Sequence, residues 1–261
     1  MEFTTKRDLF KFMTDNREKL IAQRKAVKKD GDCPVIVSPI LVTNKAMKAV
    51  PVKDSLKVVC VINTTNFLDS HNDLHLPGIW TKSLKENRMI MHLQEHNMEF
   101  DKIISDGEQL KAYTKIFTWS ELGFPYNGST EALIFESNVL KSRNEYMLNQ
   151  YANGWVRNHS VGMYYVKLDM AVNDEEFPNE FDAWNKYYPH IANQDRADEL
   201  GHFFYVQEAK VVEGSAVPIG SNTATPTLET REPLKGTQKH IEPDKSTHKI
   251  DYKFLITNLK T

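Results

Sequence analysis

W-V-R-N-H-S-V-G-M-Y-Y-V, residues 155 to 166, is dense in aromatic and β-branched side chains and reads as a strand. Side chains alternate along a strand, so Ser160 shares a face with Asn158, Gly162 and Tyr164, while Arg157, His159 and Met163 take the other. Beside Gly162 the strand carries no side chain, which lets another backbone approach the Ser160 hydroxyl. That arrangement suits a nucleophile that meets an extended peptide. It equally suits a strand serine hydrogen-bonded to its neighbours.

The segments on either side carry strand patterns more often than helical ones. Lys57 to Asn63 is a continuous apolar run typical of a buried strand. Arg88 to Leu93 and Gln109 to Thr118 are further strand candidates, Glu131 to Val139 reads as a strand or the start of a helix, and His202 to Pro218 returns to strand character. Helices are expected over Ile79 to Asn87 and over Ser142 to Ala152, the latter closed by Asn153-Gly154. The acidic, aromatic segment between Asp169 and Gly201 reads as an insertion holding a helix or two.

The two ends differ from this middle. Phe3 to Lys29 has helical apolar spacing through Leu9, Phe10, Met13, Leu20 and Ile21, interleaved with many Lys and Arg residues. Such a basic amphipathic helix either lies on the domain or docks on an acidic partner. Pro34, Pro39 and Pro51 punctuate an extended connector, so the N-terminal region is expected over 1–55 and the main domain over 56–222. From 223 to 261 the chain is rich in Thr, Pro, Lys and Glu and reads as a flexible tail, with Tyr252 to Leu259 as a short apolar docking island.

Composition narrows the function classes. A net charge of -2 over 261 residues argues against work on nucleic acid. No apolar run reaches membrane-spanning length, and the first residues lack an apolar signal core, so no membrane association is expected. Cys33 and Cys60 have no metal-type spacing and read as reduced thiols of a cytosolic protein.

Three constellations carry possible chemistry. His92-Leu-Gln-Glu95-His96 matches the H-x-x-E-H pattern of inverted zinc peptidases, which requires both histidines on one helix face. The flanking residues read instead as a strand running into a loop. Asp69, His71, Asp73 and His75 form either a metal cluster or a turn whose carboxylates cap backbone amides, the second being favoured. Ser160, His96 and Glu213 together supply a nucleophile, a base to take its proton and a carboxylate to orient that base.

Read in order, D-S-H-N-D-L-H-L-P-G-I-W (69–80), L-Q-E-H-N (93–97), S-V-G-M (160–163) and V-E-G-S-A-V-P-I-G-S-N (212–222) resemble the prohead maturation proteases of tailed bacteriophages. Four motifs in sequence are more specific than any one, and they span about Lys57 to Thr223. The family is similar in fold to herpesvirus assemblins, so the resemblance implies a mainly β, α+β fold: a closed β-barrel ringed by helices. It implies Ser160 as nucleophile, His96 as general base and Glu213 as third member, with Glu208 the competing carboxylate. Met163 stands where an aromatic is common, Ile103-Ile104-Ser105 replaces Pro-Ile-Gly, and the 169–201 insertion is long for the family.

The same resemblance implies a serine endopeptidase without cofactor or metal. Its substrates would be the scaffold protein and the N-terminal segment of the major capsid protein, inside the procapsid in the host cytoplasm. Self-association is implied too, as is self-cleavage, expected after Asn222, and packaging by the basic N-terminal helix. A scaffold or adaptor without enzymatic activity is the competing function.

Overall fold

The computed structural model describes residues 3–26, 54–87 and 89–231. Two short helices open it, α1 (Lys6–Asp15) and α2 (Arg17–Ala26). Thr5 caps α1 by accepting the Asp8 N–H while Asp8 reaches back to the Thr5 N–H, which fixes the helix start. The first strand, β1 (Ser55–Thr64), is followed by a three-residue β2 (Asp73–His75), helix α3 (Thr81–Glu86), β3 (Met91–Gln94) and β4 (Ile103–Asp106). Then come β5 (Leu110–Thr118), β6 (Ser129–Leu140), α4 (Lys141–Ala152) and β7 (Asn158–Val172). The chain continues through α5 (Pro178–Tyr187) and α6 (Gln194–Leu200) to β8 (His202–Val217) and β9 (Thr227–Arg231).

These strands form two sheets. One is antiparallel in the order β5-β6-β1-β9. The other is mixed: β8 is its spine, with β7 antiparallel along one edge and β2 and β3 parallel along the other, and β4 beyond β3. Among the described residues neither sheet closes on itself, so the expected closed barrel is corrected to a mixed α/β arrangement of two open sheets. Closure needs a ladder joining the outermost strands. The second sheet instead ends in β4, only four residues long, and β4 pairs with β3 alone among the described strands.

Between the sheets lies the main core: Leu56, Val58, Cys60 and Ile62 from β1, Phe135 from β6, Val161 and Met163 from β7, and Val211 from β8. The opposite side of β1 is covered as well, Val61 meeting Trp119 and Phe124 of the β5–β6 connection. Burial on two sides explains the unbroken apolar run of β1. At Gly214 of β8 the sheets approach so closely that an added Cβ would lie 2.6 Å from Phe135 and 2.8 Å from Ile62. Gly214 therefore faces the core, and its neighbours Glu213 and Ser215 face the other side of the sheet.

Described residues before position 55 and after position 222 pack on the middle of the chain. Phe10 and Met13 of α1 join the main core, and Arg17 of α2 pairs with Asp169 and Glu180. The basic helices thus lie on the domain rather than standing off it. Phe10 also sits where Gly201 ends α6 at φ +70, and a Cβ there would be 2.8 Å from the ring. At the other end, β9 pairs with β1 within the stretch expected as tail from 223. The connector, Cys33 and the apolar island at 252–259 lie outside the described residues.

Candidate active site

Glu213 is wholly buried and sits two residues before Ser215 on the same face of β8. Its Oε1 accepts the Nδ1–H of His96 at 2.7 Å, and its Oε2 accepts the Ser215 hydroxyl at 2.7 Å. The expected base and its carboxylate are therefore in contact although 117 residues separate them. The competing Glu208 is not: it pairs with Lys82 of α3 at 3.1 Å, farther back along β8.

His96 reaches this position through a tight turn at the end of β3. Glu95 and His96 have φ of +53 and +58, and the Asn97 N–H donates to the Gln94 carbonyl. This is a type I′ turn without the Asn-Gly pair that normally relieves it. Left-handed conformations cost such residues about 1–2 kcal/mol each, and other contacts must hold them there. Glu95 N–H donates to the Ala216 carbonyl at 2.9 Å and His96 N–H to the Ser215 hydroxyl oxygen at 3.1 Å, so the turn is folded back against β8.

Ser160 enters from the neighbouring strand. In the β7–β8 register it stands opposite Ser215, and Gly162 stands opposite Glu213. Directly opposed residues put their side chains on one face with Cβ atoms about 5 Å apart. Ser160 is therefore the cross-strand neighbour of the residue that holds the His96 main chain, and Gly162 places no side chain beside Glu213. His96 Nε2, the nitrogen left for proton transfer, is buried and hydrogen-bonds neither Ser160 nor any other group among the described residues.

Behind the same strand is a buried chain of hydrogen bonds. His92 Nδ1 meets Ser137 Oγ at 2.7 Å and its Nε2 meets the Tyr151 hydroxyl at 3.0 Å. The Tyr151 hydroxyl also meets His159 Nε2 at 3.0 Å, and His159 Nδ1 meets the Thr225 carbonyl at 3.0 Å. One assignment satisfies all of it: Ser137 donates to His92, His92 to Tyr151, Tyr151 to His159, and His159 to Thr225. Burial drives the His92 imidazole well below its ordinary range, with neighbouring His159 adding to the effect, and burial takes His159 down to about 4.

The zinc-peptidase pattern does not assemble. His92 is in a strand and points into the core, while His96 lies over the face of Glu213. Cys60, His92 and His159 do bring ligand atoms within 4.8 Å of one another. However, all four imidazole nitrogens of that group already have hydrogen-bond partners.

Asp69 begins a turn that its carboxylate caps, and the turn leads into β2. One Asp69 oxygen accepts the N–H groups of His71 and Asp73, both at 2.9 Å. Asp73 accepts the Tyr165 hydroxyl at 2.7 Å and pairs with Arg24, whose guanidinium stacks on Phe204. His75 is held between Asn63 and Tyr165. Burial first, and then the Asp73 charge, raise the Asp69 carboxyl to about 7.

No family model, no curated protein and no solved structure matches this chain. Ser215, two places after Glu213, has no role in the sequence reading yet joins this site, and Asn222, the last residue of the fourth motif, has a structural role as well. The buried Asn222 side chain donates to the Thr64 carbonyl at 2.9 Å and accepts the Ala224 N–H at 2.9 Å. It thereby fastens the segment after β8 to the end of β1.

Proposed function

We propose that this chain is a serine endopeptidase with Ser160 as nucleophile, His96 as general base and Glu213 as the group that orients and charges that base. The observation that carries the reading is the buried His96–Glu213 pair, its Nε2 without a hydrogen bond among the described residues, on the sheet face that holds Ser160. The Ser160 oxygen attacks the peptide carbonyl while His96 Nε2 takes its proton. Glu213 stabilises the imidazolium through Nδ1–H. When the tetrahedral intermediate collapses, His96 returns the proton to the departing amine, leaving Ser160 acylated. A water molecule, deprotonated by the same Nε2, then releases the acid and restores the serine.

The four ordered motifs extend the reading to the biological substrate: scaffold protein and the N-terminal segment of the major capsid protein within an assembling prohead, together with the enzyme's own chain. An apolar rim suits a peptide substrate. Met98 and Phe100 just beyond His96, Trp155 just before β7 and Ile219 just after β8 are all exposed at the end of the sheet where β3 and β8 finish.

The test compares wild type with Ser160→Ala, alone and inside assembling procapsids. Intact masses are followed over time, and a fluorophosphonate probe reports adduct formation. The reading requires shortening of capsid protein or enzyme, and an adduct on Ser160, in wild type alone. Identical masses and no Ser160 adduct in procapsids would leave the chain an assembly protein without this activity.

A further inference from the structure

We propose that Ser215 is a positioning residue of this site, an inference that rests on the endopeptidase reading. Three hydrogen bonds close a ring between β8 and the turn after β3. His96 Nδ1–H donates to Glu213 Oε1, Ser215 Oγ–H donates to Glu213 Oε2, and the His96 main-chain N–H donates to Ser215 Oγ. One hydroxyl thus holds the second oxygen of the carboxylate and the backbone of the base together.

Both tasks need a group at this place. A fully buried carboxylate keeps its charge only when hydrogen-bond donors surround it, and a free rotation about its last bond would let Oε1 swing away from the imidazole. The turn carrying His96 has two residues in left-handed conformations, so it will relax if its anchors are removed. Because its donor and acceptor roles are both engaged, Ser215 is also unsuited to replace Ser160 as nucleophile.

The inference is tested on the full chain with Ser215→Ala and Ser215→Thr. Ser215→Ala should lower kcat about 10- to 100-fold with KM within about twofold of wild type, as expected when a catalytic group is misplaced without loss of substrate contacts. Ser215→Thr, which retains the hydroxyl, should recover most of the rate. An activity-independent measurement is made in the Ser160→Ala background: the low-field proton resonance of His96 Nδ1–H should be present while Ser215 is intact, and broadened or lost once Ser215→Ala is added. Wild-type kcat in Ser215→Ala, or a reduced kcat with the resonance intact, overturns the role. If no variant cleaves peptide yet the resonance depends on Ser215, the endopeptidase reading fails while the ring stands.

Discussion

Glu213 meets His96 across 2.7 Å from a position without solvent-exposed surface, so the charge facing the imidazole is a weakly screened one. Replacing it by Gln keeps the size and permits a hydrogen bond, but removes the charge that would stabilise an imidazolium in the proposed mechanism. Glu213→Gln should therefore reduce kcat by about 10²- to 10⁴-fold. Glu208→Gln, altering only a contact with Lys82, should leave the rate within about twofold. Steady-state kinetics on one peptide substrate separates the two.

Gly214 separates the two residues of the site that lie on β8 and itself fills the core side. Gly214→Ala would press a methyl group against Phe135 and Ile62, and overpacking of this kind costs about 1–3 kcal/mol. Urea denaturation should show the loss, and Phe135→Leu in the same chain should recover part of it. Additive destabilisation by the two substitutions would mean the clash is absent.

How much of this was legible beforehand depended on range. Strand β7, helix α4 with its Asn153-Gly154 end, and the histidine at the end of β3 follow from local patterning, and each is found. The favoured turn reading is found at Asp69, whose carboxylate caps His71 and Asp73, while Asp73–His75 form the short strand β2. By contrast, β9 is Thr-Leu-Glu-Thr-Arg, half-buried at every position, and its polar composition hides a pairing with β1 that lies more than 160 residues away. The closed barrel could not be checked locally at all, because closure depends on which edges meet. Ser215 stands in plain view two places after Glu213, but its bond to the His96 main chain joins segments more than 100 residues apart, which no motif spacing contains.

His159 supplies a pH signature. Its folded pKa of about 4 lies below the ordinary value of about 6.5, so the unfolded chain binds the proton first. Its contribution to stability is complete above pH 6.5 and is lost as the pH falls towards 4, amounting to about 2 kcal/mol between pH 7 and 5. His159→Gln removes this slope. The stability difference between wild type and variant, measured by urea unfolding, should shrink by about that amount over the interval.

Asp69 acts in the opposite sense. Its carboxyl is raised to about 7, so the folded chain holds a proton that the unfolded chain has released near pH 4. That contribution is full below pH 4, declines as the pH rises and is gone above 7. Asp69→Asn keeps the oxygen that caps His71 and Asp73 but does not titrate. Its stability relative to wild type should increase from about pH 4 to 7 and then level off. A constant difference across that range would rule out the buried proton.

The Thr225 link to His159 would constrain the proposed self-cleavage. Thr225 Oγ1 accepts the His159 N–H and donates to its carbonyl, directly beside Ser160, and the next strand pairs with β1 as far as Arg231. A cut just after Asn222 would detach both. If the chain does process itself, a product that keeps these contacts would have to retain residue 231, which would set a lower bound on its mass.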